Sequence, residues 1–146
     1  LVARARQHFG FCILLDCHSM PSSGLPMDPD SDGRQVDIVL GDRNGQSCPP
    51  SLSEAVNRQL VTMGYTVVRN NPYAGGYTTQ HYGNPSDGIH ALQIEVNRAL
   101  YMDENTLERR PGFVPLRDNL RLLIRSIIAY GAERAQELHY QRLSAE

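Results

Sequence analysis

Lysine is missing altogether: all 14 basic residues of this 146-residue chain are arginine. That excludes a Schiff-base lysine and the lysine of a P-loop. An excess of one charge sign is lacking too. A net charge of -2 gives no broad electrostatic basis for binding nucleic acid or an anionic membrane. No apolar run approaches the ~20 residues that span a bilayer. The opening stretch, Leu1 to His8, is arginine-rich and amphipathic, without the apolar segment of a signal peptide. Cysteine is scarce, at three residues, and no C-x-x-C occurs, so zinc-ribbon and thioredoxin motifs are absent. Cys12 and Cys17 on one strand would lie ~16 Å apart at ~3.3 Å per residue, too far for a disulfide, which needs Cα atoms within about 7 Å. Reduced cysteines in a cytoplasmic protein are the expectation. The motifs H-E-x-x-H, G-x-S-x-G and G-x-G-x-x-G are also absent.

What is present suits one domain with a real core. Apolar content is 40% and charged content 21%, ordinary globular values. Helical spacing of Val2, Ala5 and Phe9, followed by Gly10, predicts a helix ending at Phe9. Phe11 to Cys17 is an apolar run bounded by Gly10 and by a Pro/Ser/Gly cluster, and predicts a buried strand of a parallel sheet. Residues 19–35 predict a long loop. Val36 to Leu40 predicts a second strand, followed by the turn Gly41-Asp42-Arg43-Asn44-Gly45. Ser51-Leu52-Ser53-Glu54 has the form of a capping box opening a helix to Met63. Tyr65 to Arg69 predicts a third strand, and Asn70 to Ile89 an irregular stretch. Ala91 to Asn97 alternates: Leu92, Ile94 and Val96 on one face, Gln93, Glu95 and Asn97 on the other. A last helix spans Leu116 to Leu138, its stripe including Leu116, Leu120, Leu123, Ile124, Ile127 and Ile128. The order implies α/β layers.

Asp16 and His18 end the first strand two residues apart, so they point to one face. Ligand sites of open α/β sheets lie at such carboxyl ends. His18 reads either as a metal ligand, with Asp16 orienting its ring from behind, or as a hydrogen-bonded histidine at a strand end. Glu95 lies inside an apolar strand, where an unpaired carboxylate costs several kcal/mol in order of magnitude. It reads as a general base facing a polar cavity, or as half of an ion pair with Arg98 or Arg69. Arg43, in a Gly-flanked turn, suits bidentate capture of a carboxylate or a solvated turn. Tyr77, His81 and His90 fall in or beside a loop rich in Tyr, Asn, Thr and His, which fits either substrate contact or loop packing.

Five blocks occur in order: Asp16-Cys17-His18-Ser19-Met20-Pro21; Asp37 through Arg43; Asn71 through Thr79; His81-Tyr82-Gly83; and His90 through Met102. Together they resemble the carboxyl-terminal half of the N-formylglutamate amidohydrolase family, enzymes of bacterial histidine breakdown. The resemblance implies a zinc-carboxypeptidase-like fold: a three-layer α/β/α arrangement around a mixed, largely parallel sheet, incomplete at its amino end. It implies zinc-dependent cleavage of N-formyl-L-glutamate to L-glutamate and formate. His18 takes the place of one zinc ligand and Glu95 that of the glutamate activating the zinc water. Arg43, Tyr77, His81 and His90 become candidate substrate contacts, and Asp16 a support for His18. The other zinc ligands belong to an amino-terminal half that this chain, opening on Leu1, does not contain, so an open sheet edge is expected as well. A related N-acyl amino acid deacylase and a truncated module without catalysis are the alternatives.

Overall fold

The computed structural model describes residues 1–22 and 35–144. Most of the expected loop at 19–35 lies outside the described residues. Four strands form one sheet in the order β1-β4-β2-β3. They are β1 (Cys12–Met20), β2 (Ile38–Gly41), β3 (Val67–Arg69) and β4 (Ile89–Asn97). β1 runs parallel to β4, β2 parallel to β3, and β2 antiparallel to β4. The sheet is therefore mixed, and the expected parallel pairing of the first strand holds. The helices are α1 (Val2–Phe9), α2 (Pro50–Thr62), α3 (Tyr77–Tyr82) and α4 (Phe113–Leu143).

Gly10 ends α1 as its pattern predicts. It is left-handed at φ 81°, and its N–H donates to Arg6 O at 2.8 Å, a conformation that glycine adopts without steric cost. The start of α2 differs from expectation. The helix begins at Pro50 rather than within a capping box, and no side chain among the described residues caps it. Proline in the first turn removes an N–H that would have no helical partner, so Ser51 is free for other use. Its hydroxyl pairs with Tyr130 Oη at 3.0 Å, tying α2 to α4.

One face of the sheet carries the core. Ile38, Leu40, Leu92, Ile94 and Val96 pack with Leu52, Val56 and Leu60 of α2 and with Leu116, Leu123 and Ile127 of α4. Alternation along β4 sends these apolar residues to the helix side and Gln93, Glu95 and Asn97 to the other. That second face carries no long helix among the described residues. Its cover is α3 and the segment leading into it, where Gly76 lies against Gln93. The second helical layer is therefore one short helix.

The expected stripe of α4 needs one correction. Ile124 and Ile128 are 48% and 66% exposed. They sit one step round the helix from Leu123 and Ile127, on the side toward β1. There they border a groove of about 290 Å³ with Ala5, Phe9, Phe11, Ile13 and Leu15. β1 is a sheet edge, paired with β4 alone among the described residues. Cys17, expected as a buried neighbour of His18, is exposed for the same reason.

Candidate active site

The parallel register of β1 and β4 brings the two main candidates side by side. His18 is the Cα partner of Glu95, and Asp16 that of Gln93. Neighbours in register share a face of the sheet, so Asp16, His18, Gln93 and Glu95 form one polar patch across β1 and β4. Asp16 Oδ1 lies 3.0 Å from His18 Nε2. With that nitrogen engaged, the other ring nitrogen is left for a ligand, and the imidazole is half exposed.

Glu95 is 6% exposed and Gln93 4%. Gln93 Nε2 donates to Glu95 Oε1 at 2.6 Å. The ion-pair alternative does not describe this carboxylate. Arg69 is taken by Asp42, at 2.5 Å, and by Ser53. Arg98 reaches Glu104 at 3.6 Å and the Ser19 hydroxyl at 3.3 Å. Glu95 makes no salt bridge among the described residues, so an amide supports it rather than a cation. Asn97, the third residue on this face, does structural work. It donates to Val36 O at 2.9 Å and accepts from Ala99 N at 2.9 Å.

Arg43 and Asn44 occupy a left-handed turn after β2, at φ 54° and 55°. Single residues adopt this conformation only when their surroundings hold them there. The holding group is Asp42, which is fully buried. Its carboxylate accepts from Gly45 N at 3.0 Å and from Asn70 Nδ2 at 2.7 Å, besides Arg69. Burial alone would raise the Asp42 pKa. The hydrogen bonds from Asn70, Arg69 and Gly45 outweigh it and hold the carboxyl below its usual range. Arg43 N donates to Ala74 O at 2.7 Å, joining the turn to the loop before α3. Gly41 and Gly75 permit this close approach: a Cβ on Gly41 would meet Gly75 N at 2.7 Å. The Arg43 guanidinium forms no ion pair among the described residues, which leaves it available to an anion.

Tyr77 and His81 stack across one turn of α3, with ring centroids 5.1 Å apart and planes 12° from parallel; Tyr82 packs edge-on against His81 at 4.7 Å. Tyr77 is 75% exposed. α3 packs against β4, so these rings stand at the margin of the polar face.

His90 is placed elsewhere. It is the Cα partner of Ile13 and shares the helix face with Leu92. It lines a separate cavity of about 450 Å³ with Phe11, Ser51, Tyr130, Glu133 and Arg134. Its Nδ1 is buried without a hydrogen-bond partner among the described residues. Burial, then the nearby Arg134 charge, pushes its pKa down. The structure does not bring His90 to Glu95.

A zinc centre needs at least three protein ligands. No three His, Cys, Asp or Glu side chains converge among the described residues. His18 offers one donor, and the nearest carboxylate, Asp16, already holds its ring. The described residues therefore do not by themselves fit a zinc centre. Sequence reasoning passed over two groups that shape the site: Gln93, as the direct partner of Glu95, and Asp42, as the anchor of the Arg43 turn. The first was open to inference, since Gln93 lies two residues before Glu95 on the same face.

Comparison with known proteins identifies the family. The chain is 37% identical over 136 residues to a protein named N-formylglutamate deformylase from Pseudomonas putida, and 35% identical to one of the same name from Pseudomonas aeruginosa. Each match covers 91% of this chain and 50% of the relative. A crystal structure of N-formylglutamate amidohydrolase from Ralstonia eutropha superposes with a TM-score of 0.80 at 40% identity, over 90% of this chain and 48% of that one. The chain thus spans about half the length of the curated relatives it matches. Residues 1–102 match the family model described as N-formylglutamate amidohydrolase, and the chain belongs to that family.

Proposed function

We propose that this chain supplies one wall of a hydrolytic site that cleaves N-formyl-L-glutamate to L-glutamate and formate, within histidine breakdown. The observation that carries the reading is the register of His18 with Glu95. It sets a buried carboxylate, unpaired by any cation among the described residues, beside a half-exposed imidazole in a family whose relatives bear deformylase names. The zinc-carboxypeptidase-like fold belongs to the same proposal. The three free cysteines suit a reducing, cytoplasmic setting.

The chemistry open to this chain's own side chains is acid–base and positional. Glu95 takes a proton from the attacking water as its oxygen bonds to the formyl carbon, and gives it to the leaving nitrogen as the carbon–nitrogen bond breaks. Arg43 holds a carboxylate of the glutamyl part through paired N–H donors. Tyr77 and His81 line the margin of the site. His90, on the far face of the sheet, has no part in this reading. A metal held at His18 needs at least two further donors beyond the described residues of this chain.

The test is formate release from N-formyl-L-glutamate by the natural protein, measured beside a panel of other N-acyl amino acids. Preference for the formyl compound supports the reading; preference for another acyl group transfers it to a related deacylase. Absence of release from every substrate leaves a module without catalysis. Metal content provides a second readout. His18→Ala should lower bound zinc at unchanged fold, and unchanged stoichiometry would remove His18 from the ligand set.

A further inference from the structure

We propose that Gln93 is a positioning residue of the site, holding Glu95 in its working orientation through its side-chain amide, and that Gly76 has no side chain because that amide occupies the space. The inference rests on the reading of Glu95 as the general base. It goes beyond that reading by naming what aims the base.

Glu95 projects from a strand interior, and a free carboxylate there has several staggered orientations. Gln93 stands two residues earlier on the same face and donates Nε2 to Glu95 Oε1 at 2.6 Å. One carboxylate oxygen is thereby fixed, and the other remains for a water proton. The amide has only one half engaged. Its Oε1 is buried and has no hydrogen-bond partner among the described residues. Leaving a buried acceptor unsatisfied costs about 1–3 kcal/mol, and such groups are rare in folded proteins. The arrangement is understandable if the Nε2 bond to Glu95 is what the side chain is kept for.

The amide is also hemmed in. A Cβ on Gly76 would stand 3.1 Å from Gln93 Oε1, a contact that forces the amide to shift by a few tenths of an ångström. Gly76 is extended, at φ -104° and ψ -158°, so its φ is not in the left-handed region that favours glycine. The neighbouring amide is thus the group that a side chain at Gly76 would press on. The approach of this loop to β4 is held by the Arg43 N to Ala74 O bond and by the contact between Gly41 and Gly75. The turn carrying Arg43 and the amide supporting Glu95 thus share one backbone segment, residues 74–76. A base and a carboxylate clamp set against one rigid segment keep a fixed spacing, as orientation-dependent catalysis demands.

The test uses the natural protein and N-formyl-L-glutamate. Gln93→Leu keeps the volume and removes the donor. We expect kcat to fall about tenfold to a hundredfold, the scale of a misplaced reacting group, with KM within about twofold. Gly76→Ala should lower kcat in the same sense by about threefold and leave Gln93→Leu no worse when combined with it. In a Glu95→Asp background the shortened carboxylate is out of Nε2 reach, so Gln93→Leu should have little further effect on kcat. A residue that merely stabilised the fold would lower the melting temperature and leave kcat per folded molecule unchanged. That result, or additive losses in the Glu95→Asp background, would overturn the proposal. Glu95→Gln separates the two levels of inference. Retained turnover there sinks the base itself, whereas lost turnover there with a silent Gln93→Leu sinks only the role of Gln93.

Discussion

The two faces of β4 differ by one residue of phase and by everything in their chemistry. Leu92, Ile94 and Val96 meet the side chains of α2 and α4 and are buried because nothing polar competes for the space. Gln93, Glu95 and Asn97 are equally buried, yet each retains a hydrogen bond. The helix face stabilises the fold through area removed from water, about 25 cal/mol per Å². The other face gives up that gain and buries a carboxylate instead. A strand buried on both sides ordinarily reads as a continuous apolar run. Here the alternation survives burial, as the role proposed for the polar face requires.

Replacing one residue on each face separates these roles most sharply. Glu95→Gln keeps an acceptor oxygen for Gln93 and removes the base, so formate release should fall by about 10²–10⁴ while the unfolding midpoint hardly moves. Leu92→Ala, one strand-step from Gln93, should do the reverse. A fully buried leucine truncated to alanine costs about 2–5 kcal/mol of stability, with kcat per folded molecule retained. Denaturant unfolding and steady-state kinetics on both variants check the contrast. Equal effects on both properties in both variants would end the division of labour between the faces.

The part of this site that was legible in the sequence is the part written in local period. Gly10, the run after it and the alternation of residues 91–97 each carry their own signal. The polar face of β4 followed from that alternation, whereas the roles given to His18 and Glu95 came from the family resemblance. The turn at Arg43 was legible from its Gly and Asn punctuation, but what holds it was not. Its left-handed backbone depends on Asp42 and Asn70, which are 28 residues apart and meet only because β2 and β3 are parallel neighbours. His90 was misplaced for a smaller reason. β4 begins at Ile89, two residues before the expected start, where Cys12 is its partner. Carrying the alternation back by one residue puts His90 on the face of Leu92, away from the site. Cys17 and Ile128 defeat inspection differently: their exposure is a property of the open β1 edge, and no residue near them encodes it.

The Arg43 turn ranks next in expected effect. Arg43→Gln keeps a polar side chain and removes the charged fork. Hydrogen bonds to a charged group contribute about 1.5–3 kcal/mol, so KM for N-formyl-L-glutamate should rise about tenfold to a hundredfold with kcat little changed. A substrate analogue with the side-chain carboxylate as an amide should lose the same factor with the parent protein and nothing further with the variant. Equal losses in both proteins would assign the carboxylate to another group. The result sharpens the comparison of faces, because it tests whether a turn beyond the sheet belongs to the polar face in function.

The smallest effect should come from the helix face, and its sign is what matters. Burial and Arg134 depress the His90 pKa in the folded protein, so between that value and the unfolded value of about 6.5 the unfolded chain binds more protons. Stability therefore rises with pH in that window: the contribution is fully present above about pH 6.5 and is lost as pH falls through the folded pKa. His90→Gln should flatten the slope of unfolding free energy below about pH 6.5. It should leave the pH dependence of formate release untouched, since the side chain faces Tyr130 and Arg134 rather than Glu95. Denaturant titrations from pH 5 to 8 beside pH–rate profiles decide it. A changed pH–rate profile would mean that the two faces of β4 communicate through the strand, and the separation drawn from their alternation would have to be given up.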